Sequence, residues 1–146
     1  MSVRSAAPTG ALEQIVWPRT ARRRDDDVVE IAGIGLDEIA ERFGTPAYVI
    51  DEADVRSRAR AYREAFARAF AVIGTQADVY YAGKAFLSSH VAQWVTEEGL
   101  RLDVCSGGEL AIAKKAGVPG ENIGMHGNNK GVAEIDDALA YGVGRI

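Results

Sequence analysis

Residues 99–117 run GLRLDVCSGGELAIAKKAG, one complete strand-to-helix unit between two glycines. Leu100, Leu102 and Val104 alternate with polar residues, which predicts a strand. Ser106 and Glu109 then form an S-x-x-E capping box that opens a helix, and Gly117 ends it. The same order of signals repeats on both sides. Upstream, Val79-Tyr80-Tyr81-Ala82 predicts a strand, and Leu87, Val91, Trp94 and Val95 stripe a helix that stops at Gly99. Downstream, Asn122–Met125 predicts a third strand, and Val132, Ile135 and Leu139 stripe a helix that stops at Gly142. Val143–Ile146 then opens a fourth strand. Strand-helix alternation of this kind means parallel strands joined by right-handed crossovers. Two architectures do this, a doubly wound sheet and a (β/α)8 barrel. A complete barrel needs about 250 residues, so the pattern predicts the front part of a larger protein, about half a barrel.

The first 78 residues are less regular. Residues 1–27 read as an irregular leader whose one apolar anchor is Ile15-Val16-Trp17 before Pro18. Its Arg22-Arg23-Arg24 and Asp25-Asp26-Asp27 blocks neutralise one another, and no apolar core of a secretory signal precedes them. Residues 28–50 predict a strand at Val28–Ile31, a helix through Leu36, Ile39, Ala40 and Phe43 that ends at Gly44, and a second strand at Ala47–Ile50. From residue 51 to 146 the chain reads as the barrel-like part. Asp51 caps a helix whose apolar stripe is Val55, Ala59, Tyr62, Phe66 and Phe70, with Arg56, Arg60 and Arg63 on its wet side.

Composition bounds the function classes. Apolar residues make up 47% of 146 and charged residues 26%, enough to build a core. The net charge of −4 argues against a general nucleic-acid binder. No run reaches the length of about 20 apolar residues that a membrane-spanning helix needs. The single cysteine, Cys105, excludes an internal disulfide framework and a cysteine-rich zinc site. A reducing, cytoplasmic setting follows as the default.

Chemistry in parallel α/β folds gathers at the carboxyl ends of the strands. Three such ends follow one another here: Ala82–Phe86, Asp103–Glu109 and Met125–Lys130. Lys84 is the most informative residue, one of four lysines against thirteen arginines, set beside Tyr80, Tyr81, Ala82 and Phe86. A desolvated lysine amine loses its proton more readily and can condense with an aldehyde. The bland reading is a lysine at a strand end with its head in water. Gly83-Lys84 is not a nucleotide P-loop, because Asp78 stands where its first glycine would be and Ala85 where Ser or Thr would be. Gly107-Gly108 would let an anion sit on a helix N-terminus, or would simply permit a tight turn. Cys105 reads as a small packed residue, and His126 alone as a hydrogen-bonded structural group.

Taken together, three segments resemble the diaminopimelate decarboxylase family: Tyr81–Phe86, Glu98–Ala111 and His126–Lys130. Phe43–Asp51 is also similar to that family's opening segment, and Val16–Arg19 to the N-terminal extension of actinobacterial members. The resemblance implies an alanine-racemase-like (β/α)8 TIM barrel of the fold type III pyridoxal-phosphate enzymes, here its N-terminal portion of three to four βα units. It implies a C-terminal β domain that the strand near residue 28 would join, a homodimer, and pyridoxal 5′-phosphate as cofactor. It implies that Lys84 carries the cofactor covalently, with Asp103, Glu109 and His126 as further cofactor-binding residues. The implied reaction removes CO2 from meso-2,6-diaminopimelate to give L-lysine. Because the family's remaining site residues lie further along, the 146 residues alone are expected to be inactive and prone to self-association through open edges. The alternatives are an ornithine or arginine decarboxylase, an amino-acid racemase, or a non-catalytic remnant that serves as a binding or interaction module.

Overall fold

A computed structural model describes residues 12–146. The chain divides into two compact units, the first through Asp54 and the second Val55–Ile146. No helix among the described residues is long and apolar enough to cross a membrane.

The first unit is a three-stranded antiparallel meander followed by a helix. Its strands are β1 (Arg22–Arg23), β2 (Val29–Ile31) and β3 (Ile34–Gly35), in the order β1-β2-β3. The strand expected at 28–31 is therefore central, and β1 arises inside the stretch expected to be irregular. The triple acidic block makes the turn between them. Arg24 grips Asp26 at 3.0 Å, and the Val28 amide donates to the same carboxylate. Those donors hold the Asp26 carboxyl below the ordinary range, the arginine being the larger cause. Helix α1 (Leu36–Phe43) ends at Gly44, as its spacing requires. Ala47–Ile50, expected as a strand, is extended chain without ladder partners among the described residues. Its apolar residues reflect a patch rather than a pairing, for Tyr48, Val49 and Ile50 are all exposed. Residues 1–11 of the expected leader lie outside the described residues.

Helix α2 (Glu52–Ala71) starts from Asp51, whose Oδ1 accepts the Asp54 amide at 3.2 Å. Ala59 is buried and Val55 and Phe70 partly so, whereas Tyr62 and Phe66 between them on the stripe are exposed. Arg60 and Arg63 are exposed as expected, whereas Arg56 is partly buried; Arg56 pairs with Glu97 and Glu98, and Arg60 with Glu98.

The second unit carries the parallel sheet. Its strands are β4 (Tyr80–Ala82), β5 (Arg101–Val104) and β6 (Ile123–Met125), paired in that order. They alternate with helices α3 (Ser89–Glu97), α4 (Gly107–Lys115) and α5 (Val132–Tyr141). The expected fourth strand is a single parallel bridge, Gly124 to Arg145. Spatial order thus follows sequence order without reversal. A doubly wound sheet reverses at its switch point, so this winding is barrel-like.

Leu102, Val104, Ile123 and Met125 are fully buried on the face that meets the helices, with Val91, Val95, Leu110, Ala113 and Ala138. The alternating residues Tyr80, Arg101, Asp103 and Gly124 share the opposite face by register. The glycines that end α1, α3, α4 and α5 have φ between +74° and +84°, a conformation that costs glycine little. Leu102→Ala is expected to lower stability in equilibrium urea unfolding by about 2–5 kcal/mol, and Tyr62→Ser by about 0.5 kcal/mol or less.

Candidate active site

The parallel register sets the carboxyl ends of β4, β5 and β6 side by side. Ala82 stands opposite Asp103, and Val104 opposite Met125. Immediately after β4 the chain makes a 3-10 turn, Gly83–Ala85, which presents Lys84. Gly83 is buried there, and a Cβ on it would lie 2.9 Å from the Asp103 carbonyl oxygen and 3.5 Å from Glu109 Oε2. Only a residue without a side chain lets this turn come so close to β5.

Lys84 itself is exposed. The apolar niche expected from its neighbours does not form around it, because Tyr81 turns toward the helices and Phe86 is itself 46% exposed. The Tyr81 hydroxyl is spent on the Phe86 carbonyl at 2.7 Å, which fixes the turn from behind. Partial burial raises the pKa of that hydroxyl. Among the described residues Lys84 makes no hydrogen bond or ion pair, so its amine is open to a ligand.

Asp103 and His126 come together across β5 and β6. His126 Nδ1 lies 2.7 Å from Asp103 Oδ1, and the His126 amide donates to the Val104 carbonyl at 2.9 Å. A carboxylate accepts, so the pairing commits Nδ1 as donor and leaves Nε2 to face other groups. A cavity of about 260 Å³ beside them is lined by Tyr80, Asp103, Gly124, His126 and Arg145, among others. The Tyr80 hydroxyl is buried there without a partner among the described residues.

Glu109 departs from the expected capping box. Ser106 Oγ does accept the Glu109 amide, at 3.3 Å. The Glu109 carboxylate, however, turns to Cys105: Oε2 accepts its amide at 2.7 Å and Oε1 its thiol at 3.4 Å. The thiol pKa is raised, chiefly by that hydrogen bond, then by burial, with the Lys84 charge opposing. Cys105 is thus a protonated thiol clamped by its neighbour. Gly107 does not cradle an outside anion either, because its amide donates to Glu134 at 2.7 Å. Glu134 is the residue that sequence reasoning passed over. It follows Gly131 by three, and a glycine offers no side chain to signal a capping box.

A family model for the pyridoxal-dependent decarboxylases, pyridoxal binding domain, matches residues 52–146. The chain belongs to this family. It is 53% identical over 131 residues to the diaminopimelate decarboxylase of Mycobacterium tuberculosis, covering 90% of this chain and 28% of that protein. Against the enzyme of the same name from Bacillus subtilis it is 46% identical over 127 residues, 87% of this chain and 28% of the other. The crystal structure of diaminopimelate decarboxylase from M. jannaschii superposes with a TM-score of 0.79 at 35% identity, over 87% of this chain and 29% of that chain. A lysine/ornithine decarboxylase from Vibrio vulnificus gives 0.63 at 28% identity, over 73% of this chain and 27% of that chain. The chain therefore spans about 28% of the length of the curated relatives it matches. Its fold is the N-terminal part of the alanine-racemase-like barrel of these decarboxylases.

The residues present fit a pyridoxal cofactor. An open amine stands on a turn held against β5, at the rim where such barrels bind ligands. Replacing Glu109 with Gln removes the negative charge and one of the two acceptor oxygens that keep the Cys105 thiol protonated. Alkylation of Cys105 by iodoacetamide at pH 8 is expected to be faster in Glu109→Gln than in the wild type. An equal or slower rate would refute the clamp.

Proposed function

We propose that this chain supplies the lysine-bearing part of a diaminopimelate decarboxylase. The reaction replaces one carboxyl group of meso-2,6-diaminopimelate by a proton, giving L-lysine and CO2. The observation that carries the reading is the open Lys84 amine on the turn after β4, on the same strand-end rim as the Asp103–His126 pair, in a chain 53% identical over 90% of its length to an enzyme of that name.

Lys84 Nζ would hold the aldehyde end of the cofactor. His126, braced by Asp103, would lie against it, and Glu109 would hold the β5–α4 turn beside Gly83. Bound pyridoxal phosphate supplies the electron sink that takes up the electron pair left by the departing carboxyl group. Gly107 is not the seat of the cofactor phosphate, since Glu134 already fills its amide.

The same reading takes residues 51–146 as the start of the cofactor-binding barrel and 28–50 as an opening segment that meets a C-terminal β domain. It extends to a homodimer working in the cytoplasm, in keeping with a net charge of −4 and no membrane-spanning helix among the described residues. The test measures CO2 release from carboxyl-labelled meso-2,6-diaminopimelate by the whole protein that contains these residues, with pyridoxal phosphate added. Turnover is expected with this substrate and not with ornithine or arginine, and Lys84→Ala is expected to reduce it to background. Preference for ornithine, or full activity in Lys84→Ala, would overturn the reading.

A further inference from the structure

We propose that Glu134 is a positioning residue for this site. Its one carboxylate straps the β5–α4 turn to the loop that follows β6, and so holds His126 against Asp103. The proposal rests on the functional reading above for its catalytic part, and on geometry alone for the strap.

Glu134 Oε1 accepts the Gly107 amide at 2.7 Å, and Oε2 accepts the Gly131 amide at 2.9 Å. The two glycines stand at the starts of α4 and α5, where backbone N–H groups have no partner inside the helix. A glycine stands at each end of the strap, with the closer approach at Gly107. A Cβ on Gly107 would come within 3.2 Å of Glu134 Oε1, so the bare backbone admits the carboxylate. Gly131 has no side chain with which to cap its own helix, and the third residue of α5 reaches back to do so.

The strap closes a loop that little else holds. Residues 126–129 are exposed. Beside the His126–Asp103 pair itself, their restraints among the described residues are the His126 amide on Val104 and the Lys130 ammonium, which donates to the Gly127 carbonyl at 2.7 Å within the same loop. Away from the rim, α4 and α5 meet through Lys114 and Asp137 at 2.6 Å. At the rim, Glu134 joins them. His126 begins this loop, and Asp103 lies two residues before Cys105 at the start of the other strapped turn. The β5–β6 ladder sets the backbones of Asp103 and His126, and this one carboxylate ties together the two turns that follow them. Its pKa is lowered by the Gly131 and Gly107 amides, with Lys130 adding to the effect, so the strap stays charged at neutral pH.

Glutamine is the discriminating substitution. It keeps the size of glutamate but has one acceptor oxygen, and its amide nitrogen would face the second N–H. The experiment compares wild type and Glu134→Gln in the whole protein with pyridoxal phosphate. It reads single-residue amide exchange, melting temperature, and decarboxylation per bound cofactor. The strap predicts exchange faster by about tenfold or more at Gly107 or Gly131, with Leu110, Ala113 and Ala138 unchanged. Positioning predicts a fall in kcat of about tenfold at a KM changed by less than about twofold. Unchanged exchange at both glycines would overturn the strap. Faster exchange with unaltered kcat, or with kcat falling only as folded protein is lost, would overturn the positioning role. A wild-type protein that decarboxylates no amino acid would sink the functional reading, and the strap would then stand or fall on the exchange data.

Discussion

The parallel register of β4, β5 and β6 is the constraint on which the rest of the second unit depends. Strand β5 is its centre. Leu102 and Val104 point into the helices and are fully buried, so Arg101 and Asp103 must take the other face. A slip of one residue would exchange the two sets, exposing both large apolar side chains and burying a carboxylate. Hydrophobic burial on one side of the strand thus fixes a charged group on the other. Once Asp103 is placed, His126 reaches it from β6, and the Gly83 turn packs on its carbonyl from β4.

Carboxylates organise the rim around the lysine. Asp103 takes the His126 ring, Glu109 takes the Cys105 amide and thiol, and Glu134 takes two helix-start amides. Each is spent within the protein. The Lys84 amine is left open by comparison. Groups committed in advance need no reorganisation when a ligand arrives, which is how a site holds its geometry. The cysteine belongs to this scaffolding, as a thiol kept protonated by the glutamate four residues on.

The periodic parts of this arrangement were legible in the sequence. Helix α1 and the rim segments stood out because glycine stops and apolar spacing are local signals, and the stops at Gly44, Gly99, Gly117 and Gly142 all hold positive φ. Lys84, Asp103, Glu109 and His126 could be singled out because each closes a strand or opens a helix. What failed depended on partners far along the chain. Ala47–Ile50 has strand composition but finds no ladder, and Arg22–Arg23 becomes a strand only because β2 folds back on it. The solvent around Lys84 was hidden because the tyrosine beside it turns to the opposite face. Glu134 was missed because one of its two bonds spans 27 residues and the other ends on a glycine.

The central claim is that the amine of Lys84, among four lysines, is the one presented for the cofactor. Borohydride reduction of the whole protein with pyridoxal phosphate, followed by peptide mapping, tests it most directly. The account predicts a pyridoxyl group on Lys84 at close to one per chain, with Lys114, Lys115 and Lys130 unlabelled. A pyridoxyl group on Lys130 or on the α4 lysines, with Lys84 unlabelled, would contradict it.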